Sequence, residues 1–306
     1  MGAFDTSIGA LLLGAFFSVY LYGLSAYQFG SYWNTDFNDP LWLKASVILL
    51  FFLDTTHAAS ASYLAWVILV DNIANPGILS KVIWPYPASM ILICIIAFGV
   101  QNFLVMRIYR LTGHRWVLGI FFFCTTATMV FGFVYGAKVA RLETLMEMLT
   151  LKAPLTLWLA FEVVLDTSIS AVLLTAIQRS RTGFRRSDAV LNRLARSAIQ
   201  SGVFTSVLAT LSLVCFLALS DTMFYATFGW PCARAYTISL MDTLLCRKEL
   251  RVLMNSDTKD GFGMTSVPSL FTRRLRGVAA STPPGTLQMY IRTEVETEVH
   301  YTKTRS

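Results

Sequence analysis

Seven long apolar stretches decide what this chain can fold into. They cover residues 8–30, 44–70, 87–109, 117–138, 155–178, 199–219 and 222–246. A helix needs about 20 mostly apolar residues to cross a lipid bilayer, and each stretch is long enough. Only 14% of the residues are charged, whereas soluble domains contain about 25%. The sequence therefore predicts an all-α membrane protein, a bundle of seven transmembrane helices.

The connections between these stretches differ in their content of lysine and arginine. The first, third and fifth connections and the start of the C-terminal tail carry 14 such residues in total. The other connections carry four. Cytoplasmic loops are enriched in lysine and arginine, so the N-terminus is predicted outside and the C-terminus in the cytosol. This bias accounts for most of the net charge of +7, and no nucleic-acid partner is expected.

The chain divides into two parts by composition. Residues 1–250 contain all seven apolar stretches and are predicted to form one membrane domain, in the plasma membrane or an endomembrane. Residues 251–306 contain no span-length apolar stretch, and much of this part is rich in Ser, Thr, Pro and Gly. Such composition is typical of disordered segments, so we expect a disordered cytosolic tail.

Six ionisable residues stand out in the interior of the predicted spans, away from their ends. A charge near the middle of a span costs about 2.5–3.5 kcal/mol on insertion, so such residues usually face the bundle interior. Two pairs share a helix face, because their members are three or four residues apart. Four of the six are acids and one is an arginine, so salt bridges alone cannot compensate all the acids. Either some carboxyl groups are neutral and hydrogen-bond between helices, or the acids bind a ligand, an ion or protons. The six residues are Asp54, His57, Glu162, Asp166, Arg234 and Asp242.

Arg234 needs an acidic partner within the bilayer. Its guanidinium stays charged, and it lies too far from both ends of its span to reach water. In a ring of seven helices the last span lies next to the first, second and sixth. Only the second of these contains an acid, so we predict an Asp54–Arg234 ion pair, with Glu162 or Asp166 as the second choice.

Two features at the predicted cytosolic face suggest contacts with lipid. Six arginines of the third inner loop lie beside the membrane, where basic residues are attracted to anionic lipid, although they could serve only to set the topology. These are Arg179, Arg181, Arg185, Arg186, Arg193 and Arg196. Cys246 lies beside Arg247 and Lys248 and is a candidate for S-palmitoylation, the alternative being an unmodified thiol. The sequence specifies no cytosolic protein partner.

Known catalytic and cofactor motifs do not occur in the sequence. The spans contain no central lysine to bind retinal, and three histidines in the whole chain are too few for a multi-histidine zinc site in the membrane. Nucleophile-elbow, phosphate-loop and metalloprotease motifs are also missing. We therefore expect neither enzymatic activity nor a cofactor or bound metal.

Several short strings resemble one membrane-protein family. They are LDTTH at 53–57, NP at 75–76, RIYRLTG at 107–113 and SRTGFRRSDAVLNRLAR at 180–196. Together they resemble a fungal, mainly basidiomycete, seven-helix family catalogued as domain of unknown function 6534, whose named part corresponds to about residues 160–250. The resemblance implies a fold and a membrane location, and it implies no activity.

Two functions are consistent with these features. The first is a non-enzymatic protein that resembles receptors or sensors in its topology. The alternative is a small transporter or channel that uses Asp54, Glu162 and Asp166. The most informative observation is whether an aqueous cavity reaches Asp54 and Asp166, and substrate flux in reconstituted vesicles would support the second function.

Overall fold

The regular structure of the described part of the chain is helical. The computed structural model describes residues 9–35, 37, 39–72, 81–144, 147, 150–179, 185–219 and 222–260. Within these residues there is no β-strand, and one isolated bridge joins Lys81 to Thr144. The α-helices of this part are α1 (Ala10–Trp33), α2 (Leu41–Trp66), α3 (Pro85–Thr112), α4 (Arg115–Val139), α5 (Lys152–Arg179), α6 (Arg185–Ala218) and α7 (Phe224–Asp260). The predicted all-α class is confirmed.

Five of these helices are long and apolar enough to cross a membrane. They are α1, α2 with the π-helical turn Val67–Asp71 that extends it, α3, α4 and α5. The apolar part of α6 is shorter and covers Gly202–Ala218. The chain is thus a multi-pass membrane protein. The number of seven spans and the outside position of the N-terminus stay predictions.

The last two helices are longer than the apolar stretches that predicted them. α6 begins at Arg185, inside the basic segment, and α7 ends at Asp260, inside the segment predicted as tail. Arginine, alanine and leucine are strong helix formers, so the backbone stays helical where the hydropathy has already fallen. α7 also continues through Pro231, which therefore does not end the helix.

The helices form a closed ring with α3 near its centre. Each helix packs against its neighbours in chain order, α7 closes the ring against α1, and α3 additionally contacts α5 and α7. The interior contains large buried side chains such as Trp230, Ile96 and Met241. Phe16, Phe123 and many other large apolar side chains are exposed, as expected for surfaces that face lipid tails. The contact of α7 with α2 is smaller than its contacts with α1 and with α6.

Two helix pairs approach each other closely at glycines. A Cβ atom on Gly14 of α1 would lie 2.9 Å from the backbone Cα of Thr227 in α7. A Cβ atom on Gly202 of α6 would lie 2.2 Å from Oγ of Ser170 in α5. Small residues permit this contact between membrane helices, so α1–α7 and α5–α6 are packed too tightly for a larger residue.

Candidate functional site

Asp54 of α2 and Arg234 of α7 form an ion pair in the bundle interior. Both side chains are 0% exposed, and Nη1 of Arg234 donates to Oδ1 of Asp54. Ser25 of α1 donates to Oδ2 at 2.8 Å, and Thr237 donates to Oδ1 at 3.1 Å. The predicted ion pair is confirmed, and it ties α1, α2 and α7 together.

His57 lies on the same face of α2 as Asp54 and contacts the same guanidinium. Nη2 of Arg234 lies 2.7 Å from Nδ1 of His57. Because an arginine N–H can only donate, Nδ1 must accept, and the ring proton of a neutral His57 is on Nε2. The Tyr22 ring lies 5.5 Å from Cζ of Arg234 and adds a cation–π contact. We refer to Asp54, His57 and Arg234 with Ser25 and Thr237 as the ion-pair cluster.

Glu162 and Asp166 form a second cluster on the inner face of α5. Nε2 of Gln101 in α3 donates to Oε2 of Glu162 at 2.8 Å and to Oδ1 of Asp166 at 2.9 Å. The hydroxyl of Tyr236 in α7 donates to Oδ2 of Asp166 at 2.5 Å and to Oε2 of Glu162 at 3.4 Å. The two acids share both donors, so their carboxyl groups lie side by side. We call these four residues the acid-pair cluster.

No positive side chain faces the two acids within the described part of the chain. The ion pairs described there are Arg234–Asp54 and Arg247–Asp39. Glu162 and Asp166 are 8% and 5% exposed, so water screens them little. Two adjacent carboxylates in an apolar interior repel each other, so both can be charged only if a cation lies between them. Without a cation the cluster must hold a proton.

A cavity of about 50 Å³ reaches the acid-pair cluster. It lies between α3, α5, α6 and α7, in the half of the bundle that contains the N-terminal ends of α3, α5 and α7. Glu162 and Tyr236 line it, together with mostly apolar residues such as Met90, Leu155 and Trp230. The cavity thus reaches Glu162 of the acid-pair cluster, and neither Asp166 nor Asp54 lines it.

The other sequence-predicted residues lie away from these clusters. Asp242 accepts a hydrogen bond from Nε2 of Gln28 at 3.1 Å. Cys246 is buried in the C-terminal half of α7, and its lipidation stays a prediction. Arg179 is exposed at the end of α5. Arg185, Arg186, Arg193 and Arg196 lie in the helical start of α6, where side chains are not described, and Arg181 lies outside the described residues. Their contact with anionic lipid stays a prediction.

A further ion pair joins the connection between α1 and α2 to the C-terminal half of α7. Nη1 and Nη2 of Arg247 donate to the two carboxylate oxygens of Asp39, both at 2.8 Å. The hydroxyl of Tyr32 donates to Asp39 at 2.8 Å, and the Phe37 ring lies 5.0 Å below the guanidinium. Such paired contacts fix the orientation of both groups. The C-terminal half of α7 is therefore attached to the connection between α1 and α2.

Sequence reasoning missed the neutral and peripheral partners of these clusters. Gln101 and the adjacent Asn102 interrupt an apolar stretch in α3. These amides were a usable signal, because polar side chains in a bilayer hydrogen-bond to other helices. Tyr236 gave no such signal, since tyrosine is common in membrane helices. Arg247 was counted only as a determinant of topology. Its partner Asp39 lies outside the apolar stretches, so the search of the spans did not consider it.

Comparison with known proteins gives one match. A model of a family of unknown function (DUF6534) matches residues 162–249. The match begins at Glu162 and covers most of α5, all of α6 and α7 as far as Glu249. It includes Asp166, Arg234 and Tyr236, and it excludes Asp54 and Gln101. No curated protein and no solved structure matches the chain.

Among the described residues, no group of three or more His, Cys, Asp or Glu side chains is placed to hold a metal ion. The acid pair instead has an amide and a phenol as its neighbours. What these arrangements offer chemically is a buried pair of acids on α5 beside a small cavity, next to α7, which carries the buried cation Arg234.

Proposed function

We propose that this chain is a non-enzymatic, receptor- or sensor-like membrane protein that takes a small ligand into the cavity between α3, α5, α6 and α7. The observation that carries the proposal is the position of the acid-pair cluster at the wall of this cavity. Ligand pockets are mostly apolar with a few convergent polar groups. Here the wall is apolar, and Glu162 and Tyr236 are among its few polar members.

One helix connects the cavity to the opposite end of the bundle. Tyr236 of α7 contacts the acid pair, Arg234 contacts Asp54 two residues earlier, and Arg247 contacts Asp39 at the inner end. A ligand that moves Tyr236 therefore acts on a helix held by two ion pairs. A discrete rearrangement of such contacts is the usual basis of coupling between distant sites.

A transporter is supported less well by this geometry. Transport requires a site that opens in turn to both sides of the membrane. The ion-pair cluster is closed around Asp54, whose side chain is 0% exposed. The cavity is confined to one half of the bundle, which the predicted orientation places on the outer side.

A variant with a filled cavity tests the proposal without any ligand. Ala209 of α6 is 4% exposed and lines the cavity, so Ala209→Phe places a ring where a ligand would bind. Ala218→Phe is the matched control, because it makes the same change on an exposed position of the same helix. Hydrogen–deuterium exchange in lipid nanodiscs is measured at residues 105–112 and 240–247.

If the protein is receptor-like, we expect Ala209→Phe to change the exchange rate at these inner ends. Ala218→Phe should exchange there as the wild type does. A change confined to residues that line the cavity would contradict the coupling. So would identical exchange patterns for both variants.

A further inference from the structure

The acid-pair cluster has unused capacity for hydrogen-bond donors. Two ionised carboxylates offer about eight lone-pair sites, and four contacts from Gln101 and Tyr236 are described. Gln101 and Tyr236 both donate hydrogen bonds to the acids. A magnesium or calcium ion needs further oxygen ligands at this point, and Gln101 offers its N–H groups instead. The missing partner is therefore a cation that itself donates hydrogen bonds.

The cavity limits the size of that cation. A volume of about 10–15 Å³ on the same measure holds one water molecule, so a cavity of about 50 Å³ has room for roughly three to five non-hydrogen atoms. An ammonium group on a short carbon chain fits this space. A larger ligand would have to separate the helices.

The cavity wall also contains buried hydrogen-bond donors that lack an acceptor. Trp158 and Trp230 both line the cavity, and neither indole N–H has a hydrogen-bond partner; Trp230 is the more deeply buried, at 0% exposed. A buried donor without a partner costs about 1–3 kcal/mol. Trp230 and Tyr236 both belong to α7 and both line the cavity. An oxygen acceptor on the ligand would satisfy the N–H of Trp230.

We infer that the cavity binds a short primary amine that carries a hydroxyl group, with its ammonium at the Glu162 carboxylate of the acid-pair cluster and its oxygen at the indole N–H of Trp230. The inference rests on the proposed ligand-binding function and names its ligand class. One ammonium enters and one proton leaves the acid pair for the aqueous phase, so the net charge of the site is the same before and after binding. No covalent bond of the ligand changes.

Three probes of nearly equal size separate the two contacts. Ethanolamine has the ammonium and the hydroxyl, propylamine has only the ammonium, and 1-propanol has only the hydroxyl. Binding to the protein in nanodiscs is measured by calorimetry in phosphate buffer, since Tris is itself an amino alcohol. We expect ethanolamine to bind more tightly than propylamine by about threefold to tenfold, and 1-propanol not to bind. Equal affinities for the three probes, or no binding of either amine, would overturn the inference.

Conservative variants assign the contacts to residues. Glu162→Gln should weaken both amines by about tenfold or more, whereas Trp230→Phe should weaken ethanolamine alone. Glu143→Gln is the control, because it makes the same change at an exposed position. Thermal unfolding shows whether each variant is folded, and a pH-sensitive dye reports one proton released per amine bound by the wild type. Binding without proton release, or unchanged selectivity in Trp230→Phe, would refute the assigned contacts.

The two proposals can fail separately. If the amines do not bind but Ala209→Phe alters exchange at the inner ends, the ligand class is wrong and the receptor-like function stands. If ethanolamine binds and the exchange at the inner ends never changes, the site is correct and the function is wrong.

Discussion

Arg234 is the residue whose environment the bilayer constrains most strictly. It cannot lose its charge at any accessible pH, and it is 0% exposed. Asp54 differs, because a carboxyl group can take up a proton and remain buried as a neutral acid that keeps its contacts with Ser25 and Thr237. The two members of this ion pair should therefore respond differently to substitution.

Substitution of Asp54 should cost more stability than substitution of Arg234. Asp54→Asn leaves a buried guanidinium without a counterion, and we expect a loss of about 3–5 kcal/mol. Arg234→Gln should cost clearly less, and the double variant should be more stable than the sum of the single effects predicts. The free energy of unfolding of the three variants in one detergent measures this. Equal and additive losses would show that the ion pair does not form in the membrane.

The ion pair could be predicted from the sequence, and the acid-pair cluster could be predicted only in part. A permanent charge in a bilayer requires an opposite charge, and few are present, so Arg234 pointed to Asp54. The spacing of Glu162 and Asp166 placed both acids on one face. Gln101 and Tyr236 are neutral side chains, and their contacts depend on the vertical register of α3, α5 and α7, which no sequence pattern defines.

At the scale of elements, the contact between α1 and α7 depends on a glycine. Gly14 lies against the backbone of Thr227, and Thr227 also donates through its hydroxyl to the carbonyl of Ala10 at 2.7 Å. Backbone atoms cannot move aside as a flexible side chain can. The position of α7, which carries Arg234, Tyr236 and Arg247, thus depends on this close approach.

Gly14→Ala should push α1 away from α7. We expect a loss of about 1–3 kcal/mol, typical of overpacking. Gly23→Ala is the control, since Gly23 belongs to the same helix, is exposed and has nothing within 4 Å of an added Cβ atom. Thermal unfolding of both variants in nanodiscs provides the comparison. A Gly14→Ala protein as stable as the Gly23→Ala protein would mean that α1 and α7 are less closely packed.

The positions of the helices were more predictable than their lengths. Apolar stretches located all the helices to within a few residues at most ends, since the bilayer demands such stretches. They gave no information on the helical start of α6 at Arg185 or on the end of α7 at Asp260. These ends are polar, so hydropathy cannot distinguish a polar helix from a loop.

At the scale of the whole molecule, the orientation in the membrane decides which side the cavity faces. With the N-terminus outside, an engineered Asn-x-Thr acceptor at residues 76–78 lies in the lumen of the endoplasmic reticulum during synthesis and should be glycosylated. The same acceptor at residues 181–183 should remain unmodified in the cytosol. The electrophoretic mobility of each variant before and after glycosidase treatment shows whether its acceptor is glycosylated. The opposite pattern would reverse the orientation and place the cavity on the cytosolic half.

The central claim is that the cavity binds a ligand and does not carry it across the membrane. Radiolabelled ethanolamine is added to proteoliposomes that contain the purified protein, and Glu162→Gln proteoliposomes serve as the control. We expect retained label that saturates at one molecule per protein and is lost in the control. It should leave at once when the membrane is dissolved and the sample diluted. Label that accumulates in the vesicle lumen well beyond the number of protein molecules would contradict the account and identify a transporter.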